Sequence, residues 1–417
     1  MKKLVFTRYD YASFWCFIAY AGCSIIIPLV LCQMAQELGF TLQEGGFAAG
    51  GALQLGRAIP MVLSMLLCGF AAGRWGMCRT IGFATLLMGL GILCAALAPL
   101  YAILFIALMV TGLGEGVIEG LNTPFVENIH REEAGRYLNF SHSFWAIGII
   151  LSVLIGGWLL NRGISWRMLV AGVAILTLPP ALLLLLPAGK SPYPERHGRL
   201  PWKTVWGHTR KILATPHFWA FFAAMFVAGG GEFGLTFWSA SYIQLEFSTS
   251  AWLGGCGTAC LAGGLFLGRC GTGLLVPQDF LPHLVISTAL TGMLICLFFP
   301  LLNSPWILQQ QEHLPWLAVF SRKWLLFLLL FLAGLSSAPF WPSVQSYTVK
   351  RLPHLDSTML FILLSCAGIP GCAFITWLMG LTGNLFGLRN SFFVVPVCYL
   401  ILAVIIAIDD RKARKEI

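Results

Sequence analysis

Residues 11–35 read YASFWCFIAYAGCSIIIPLVLCQMA, from Tyr11 to Ala35, without a single Asp, Glu, Lys, Arg or His. As a helix this run would extend roughly 37 Å, and about 20 apolar residues are enough to cross a bilayer core. It is also too long for the apolar centre of a secretory signal, which spans about 7–15 residues, so it is expected to remain as a first membrane span. The same pattern recurs along the chain. Apolar runs at 11–36, 45–72, 80–99, 101–127, 138–160 and 165–187 are followed by 217–245, 250–276, 281–302, 324–349, 357–381 and 388–408. Short charged or turn-rich clusters separate them. The runs predict an all-α membrane protein of twelve transmembrane helices.

Composition leads to the same class. Of 417 residues 58% are hydrophobic and 10% charged, against about 25% charged in soluble domains. A soluble core has no use for that much apolar surface, so much of it must meet lipid. This excludes a soluble globular enzyme, a disordered chain and a disulfide-stapled secreted domain. The net charge of +9 lies in short loops and tails rather than on one face, so no nucleic-acid partner is expected. The 13 cysteines, among them Cys16, Cys23, Cys94, Cys296 and Cys366, form no CxxC pairs and read as small buried hydrophobes. No phosphate-cradling GxxxxGK[ST], hydrolytic triad or zinc spacing occurs. Neither enzyme activity nor a cofactor is expected, and the chain is expected to be monomeric.

Lys and Arg placement orients the spans. With both termini cytoplasmic, twenty basic residues fall inside and five outside. A basic stretch from Lys190 to Lys211, carrying Pro192, Pro194 and Pro201, is the evident linker. The expected organisation is an N-terminal six-helix bundle at 1–187, a cytoplasmic linker at 188–215 and a C-terminal six-helix bundle at 216–417. Such a chain belongs in a cell membrane, for which a bacterial inner membrane is the expected setting.

A faint duplication supports two halves. Gly51-Ala52-Leu53-Gln54-Leu55-Gly56-Arg57 in the second span matches Gly263-Gly264-Leu265-Phe266-Leu267-Gly268-Arg269 in the eighth, 212 residues later. Between the second and third spans, Gly69-Phe70-Ala71-Ala72-Gly73-Arg74-Trp75-Gly76 resembles the G-x-L-a-D-R-x-G loop of the major facilitator superfamily. The family's acidic residue is replaced here by Gly73, a departure from the charge pairs through which this loop normally clamps the family's two halves. The resemblance implies parallel six-span halves with a solute site near the midplane.

Ionisable residues within spans cost about 2.5–3.5 kcal/mol on insertion scales, so each needs a reason. Arg57, Glu115, Glu119, His142 and Glu232 lie at depth, whereas Glu127 and Arg269 are near enough to span ends to reach the interface. In the fourth span Thr111, Glu115, Glu119 and Asn122 form one helical stripe, with Gly112, Gly114, Gly116 and Gly120 between them. The glycines permit close backbone approach. Two glutamates one turn apart cannot both ionise cheaply in a low dielectric, so the pair reads either as a proton carrier or as a static partner for Arg57 or His142. Arg57 cannot shed its proton and needs an anion, either a glutamate or a solute. His142 suits proton relay, solute binding or plain packing.

The run Gly112-Leu113-Gly114-Glu115-Gly116-Val117-Ile118-Glu119-Gly120-Leu121-Asn122-Thr123-Pro124-Phe125 resembles the fourth span of the fucose/glucose-galactose family of sugar:proton symporters. Arg136-Tyr137-Leu138-Asn139-Phe140-Ser141-His142-Ser143-Phe144-Trp145 is similar to that family's R-L-N-x-x-Q-x-x-N start of the fifth span. His142 stands at the family's sugar-binding glutamine and Trp145 at its asparagine. The resemblance implies that Glu119 is a cavity carboxylate for sugar binding or proton transfer. The first span lacks the intramembrane aspartate of the proton-coupled fucose members, which excludes coupling by that route.

In the second half, Gly229-Gly230-Gly231-Glu232-Phe233-Gly234 is expected to loosen the seventh span and free carbonyls for a ligand. Glu232, Trp238 and Tyr242 would supply a carboxylate and aromatic faces of the kind sugars use. Trp341, Gln345 and Tyr347 in the tenth span, with Tyr20 and Ser24 in the first, complete the candidates. The set expected to couple protons is therefore Glu119, Glu115 and His142. The set expected to bind solute is Arg57, Asn122, His142, Trp145, Glu232, Trp238, Tyr242 and Gln345. The best reading is a proton-coupled symporter of a monosaccharide or sugar derivative, its partners being solute, protons and lipid. A carrier of small organic anions or amino-acid-like solutes using Arg57 is the alternative, and a transporter-fold sensor is the third.

Overall fold

The computed structural model describes residues 5–130, 134–187, 193–194 and 202–416. Among these, 12 helices are long and apolar enough to cross a membrane. Spans one to six are Arg8–Glu37, Phe47–Trp75, Met77–Ala96, Tyr101–Ile129, Phe140–Asn161 and Trp166–Leu185. Spans seven to twelve are Pro216–Glu246, Ala251–Thr272, Leu281–Leu301, Lys323–Arg351, Met359–Phe386 and Leu388–Arg414. Each coincides with one expected apolar run. Of the proposed linker at 188–215, residues 188–192 and 195–201 lie outside the described residues. Its described part includes a short helix, Trp202–Leu213, with Arg210 and Lys211 exposed and Ile212 buried.

Prolines shape the spans in two ways, because each lacks the N–H that would bond the carbonyl four residues back. Span six is two pieces, Trp166–Ile175 and Leu178–Leu185, the second starting at Pro179 and Pro180. Span ten likewise breaks between Lys323–Ser337 and Phe340–Arg351, where Pro339 interrupts it. Pro28, Pro60, Pro124 and Pro370 instead sit inside unbroken helices. A carbonyl freed in this way inside a membrane must find another donor. Between spans two and three the chain turns on Gly76, whose φ of 83° is readily adopted only by glycine.

The chain divides into two compact units. The first contains Met1–Ile27 with Gly56–Gly207, and the second Pro28–Leu55 with His208–Ile417. Glycines set the helix spacing in both. In the first unit a Cβ at Gly112 would lie 2.2 Å from the Arg57 carbonyl oxygen, and one at Gly116 2.0 Å from that of Met61. Spans two and four therefore touch backbone to backbone, as small residues allow in membranes. Spans three and four are as close, since a Cβ at Gly114 would lie 2.4 Å from the Ala84 carbonyl oxygen.

The second unit repeats the arrangement. A Cβ at Gly264 of span eight would lie 2.1 Å from the Phe331 carbonyl oxygen of span ten, and one at Gly334 of span ten 2.0 Å from that of Leu261. Spans seven and eleven meet through Gly371, whose Cβ would lie 2.0 Å from the Phe226 carbonyl. The glycine triplet does not loosen span seven, which runs unbroken through Pro216–Glu246. Gly229 and Gly230 pack on the span-eleven backbone at Gly368 and Gly371, and Gly231 meets the Tyr399 ring. Absent side chains admit these neighbours, and tight packing holds the helix that bare glycines would weaken. Apolar side chains such as Leu63, Leu67 and Phe83 in the first unit and Leu385 and Phe386 in the second are exposed, as a lipid-facing surface requires.

Candidate functional site: two arginine–glutamate clamps in the membrane

In the first unit the span-four stripe forms around Arg57. The Arg57 side chain is 3% exposed and that of Glu115 0%. Arg57 Nε donates to Glu115 Oε2 at 2.5 Å and Nη2 donates to Oε1. This two-pronged geometry suits guanidinium and carboxylate and satisfies both oxygens. Arg57 Nη1 donates to the Ser24 carbonyl at 3.3 Å. Ser24 lies four residues before Pro28, so the arginine fills the acceptor that the proline left without its helical donor. One guanidinium thus ties together spans one, two and four.

Further along the stripe, Asn122 is buried, its Nδ2 donating to the Ser13 carbonyl at 3.4 Å. Its Oδ1 is buried without a hydrogen-bond partner. Glu119 is half-buried. His142 is exposed, with Nε2 3.0 Å from Thr123 Oγ1 and its ring tilted on Phe17 at 4.6 Å. Trp145 and Tyr20 are half-buried. Glu127, expected at an interface, is exposed.

The second unit carries a related clamp that the sequence reading missed. Arg269, expected to reach for the interface, donates through Nη2 to Glu232 Oε1 at 2.7 Å. Its Nε approaches the Ala338 carbonyl at 3.4 Å. Ala338 stands four residues before Pro342, so this carbonyl too lacks its helical donor. The signal was present in the duplicated Gly-Arg of spans two and eight, since Arg57 and Arg269 correspond. Glu232 differs from Glu115 in one respect: its Oε2 is buried and has no hydrogen-bond partner.

The expected aromatic partners are interior. Trp238 is 0% exposed, gives its indole N–H to the Thr376 carbonyl at 3.0 Å and meets Phe47 edge-on at 5.9 Å. Tyr242 is buried, and its hydroxyl donates to the Phe299 carbonyl at 2.6 Å. Neither presents an open ring face for stacking. Gln345 is half-buried, with Nε2 donating to Ser365 Oγ at 3.2 Å, and Trp341 is half-buried between Gly229 and Gly368. Tyr347 is committed elsewhere, donating to Asp409 Oδ2 at 2.6 Å in a buried network with Arg351 and His217. A similar pair near the start of span one joins Asp10 Oδ1 to His130 Nε2 at 2.7 Å. Both networks lie near span ends, and the sequence pattern did not reveal either.

Twelve apolar spans in two glycine-packed units, with ionisable residues paired inside them, define a polytopic membrane protein. The family model described as Major Facilitator Superfamily matches residues 12–309, and the chain belongs to that family. It is a multi-pass cell-membrane protein. No curated protein matches the sequence. Among solved structures, the fucose:proton symporter FucP of E. coli superposes with a TM-score of 0.64 at 16% identity, covering 96% of this chain and 99% of that one. The xylose transporter XylE of E. coli gives 0.69 at 11% identity, covering 95% and 96%. A bacterial homologue of the human lysosomal transporter Spinster gives 0.68 at 16% identity, covering 97% and 96%. At these identities the likeness establishes the fold.

Proposed function

We propose that the chain is a secondary active transporter that moves a monosaccharide or close derivative together with protons by alternating access. The termini are cytoplasmic, the working halves are 1–187 and 216–417, joined by 188–215, and the transporter acts as a monomer. The observation that carries this reading is the division of labour on the span-four stripe. Arg57 neutralises Glu115 with both oxygens bonded, while Glu119, one turn along, is half-buried. The two adjacent glutamates therefore need not compete for ionisation. Glu119 can take a proton or a sugar hydroxyl, with Asn122 about one helical turn along the same stripe and His142 bonded to the neighbouring Thr123.

The solute-facing set is Glu119, Asn122, His142 and Trp145 in the first half, with Gln345 in the second. Trp238 and Tyr242 support the helices, since their polar atoms are spent on backbone carbonyls. An organic anion could reach Arg57 only if Glu115 released it, so the anion reading has less support from this geometry. The likeness to a Spinster homologue keeps solutes other than sugars in the test panel.

The test is uptake into proteoliposomes of a labelled panel of monosaccharides, amino sugars and small organic acids, with and without an uncoupler. Sugar accumulation that collapses with the uncoupler, and that Glu119→Gln abolishes while exchange persists, is the expected result. Accumulation of acids alone would move the protein to the anion class. Binding without accumulation would make it a sensor.

A further inference from the structure

Spans nine and ten are joined by a stretch that is neither span nor plain turn. Span nine ends at Leu301 and span ten starts at Lys323. Between them lie a short helix, Pro305–Gln310, and a 3-10 segment, Pro315–Ser321. Each opens on a proline, whose missing N–H has no helical acceptor there in any case. The Ser304 hydroxyl accepts the Ile307 N–H at 3.2 Å and so caps the helix. The ends of the stretch are tied together: the Asn303 N–H donates to the Phe320 carbonyl at 3.0 Å, and Gln311 Nε2 to Ser321 Oγ at 2.7 Å. Asn303 Nδ2 also donates to the Glu246 carbonyl at 2.6 Å, at the end of span seven. The stretch is therefore a folded element with a fixed seat on the second unit.

Its outward side is apolar. Ile307 and Leu317 are buried, whereas Trp306 is 59% and Trp316 65% exposed, and Leu308 and Leu314 are exposed with them. Facing water, this surface would oppose the hydrophobic effect. Its position supplies an apolar setting instead. Phe320 stacks on Phe298 of span nine, with ring centroids 6.3 Å apart. Phe298 belongs to an exposed apolar strip of that span, with Leu290, Leu294 and Leu297, which fall on one helical face and form its lipid-facing surface. The element thus lies against the lipid side of span nine and continues that strip beyond the end of the helix. Where it meets span ten, Arg322, Lys323 and Trp324 are all exposed. The one acidic residue in 303–323 is Glu312, so the element carries a net positive charge. Tryptophan beside Lys and Arg suits the boundary of headgroups and acyl chains, where the ring meets hydrocarbon and the cation meets phosphate.

We propose that residues 303–323 form an interfacial platform: Trp306 and Trp316 lie at the boundary of headgroups and acyl chains, and Arg322 and Lys323 bind lipid phosphates. The bilayer is the partner that fits, because the platform adjoins a strip that already faces hydrocarbon and its basic pair complements a phosphate surface. This inference rests on the membrane fold and not on the solute or on proton coupling.

The experiment is fluorine magnetic resonance of the full-length protein carrying fluorotryptophan, in nanodiscs of phosphatidylcholine and phosphatidylglycerol. A nitroxide on the upper acyl chain of the lipid is compared with a water-soluble nitroxide. Trp306→Phe and Trp316→Phe each remove one signal and so assign it, and tyrosine serves where phenylalanine does not fold. Buried Trp238 is the internal control that neither agent should reach. The lipid nitroxide is expected to broaden the Trp306 and Trp316 signals several-fold more than the water-soluble one does. The reverse order places the loop in water and overturns the proposal. Signals spared by both agents overturn it too, since they mean that protein covers this surface, and crosslinking then shows whether it is a second copy of this chain. With Arg322→Glu and Lys323→Glu together, broadening of Trp316 by the lipid nitroxide should fall, and an unchanged value overturns the phosphate contact. Neither solute nor a proton gradient is used, so failure here leaves the transport reading standing, and a failed uptake panel leaves this one.

Discussion

Arg57 closes on both carboxylate oxygens of Glu115, and the two residues bury their opposite charges together at the contact of spans two and four. Removing one partner of such a pair leaves an uncompensated buried charge, whereas removing both does not. Arg57→Met is expected to destabilise the protein by about 3–5 kcal/mol. Arg57→Met combined with Glu115→Leu should recover much of that loss. Thermal unfolding of the purified variants checks this. If the double variant is no more stable than Arg57→Met, the pair is not the source of the loss.

Glycine spacing makes a contrast between two positions in the first unit. A Cβ at Gly116 would lie 2.0 Å from the Met61 carbonyl oxygen, while one at Gly69 meets nothing within 4 Å. Gly116→Ala must therefore push spans two and four apart, an overpacking cost of about 1–3 kcal/mol. Gly69→Ala should be close to neutral. Unfolding midpoints of the two variants, measured in the same detergent, should separate clearly.

Trp238 distinguishes packing from binding. Its indole N–H bonds the Thr376 carbonyl at 3.0 Å and its ring is fully buried. Trp238→Phe keeps much of the apolar bulk and loses the hydrogen bond, a cost of about 1 kcal/mol. Stability should fall with solute affinity unchanged. Gln345→Ala, at a half-buried residue of span ten, should do the reverse. Paired melting and uptake curves read both effects.

Asp409 gathers three donors at the ends of spans seven, ten and twelve: His217, Tyr347 and Arg351. Asp409→Asn removes the charge that Arg351 bonds at 3.1 Å. Hydrogen bonds to charged groups contribute about 1.5–3 kcal/mol, so a loss in that range is expected. Tyr347→Phe in the same background should cost little more, because the hydroxyl donates to Asp409 Oδ2 at 2.6 Å. Thermal unfolding of the single and double variants checks this, and a full additional loss would show that the hydroxyl is held by something other than Asp409.

Spans were legible from the sequence because hydrocarbon demands long apolar runs whatever their neighbours, and each of the twelve runs became a helical span, spans six and ten in two pieces. The role of the span-four glycines was legible for the same local reason: a residue without a side chain every few positions marks a close approach. Glu115 was legible only as one of two carboxylates that could not both be charged. Its choice of Arg57 depended on which faces of spans two and four met.

Arg269 shows what a linear pattern leaves open. Its place near the end of a span fitted an interface residue, and its match to Arg57 lay in the repeat, but the carboxylate it bonds is on span seven rather than span ten. Trp238 and Tyr242 looked like a stacking surface because composition cannot distinguish a ring facing a cavity from one facing a neighbouring helix. The sequence by itself determined the number of spans and the residues too polar for lipid, since both follow from local transfer free energy, and its motifs pointed to the family. Only the tertiary structure decided which charges neutralise one another, which prolines free carbonyls for arginine, and that Glu115 is closed while Glu232 keeps one oxygen unpartnered. Those outcomes turn on distances of a few ångströms between helices far apart in the chain, where Coulomb and hydrogen-bond energies change steeply.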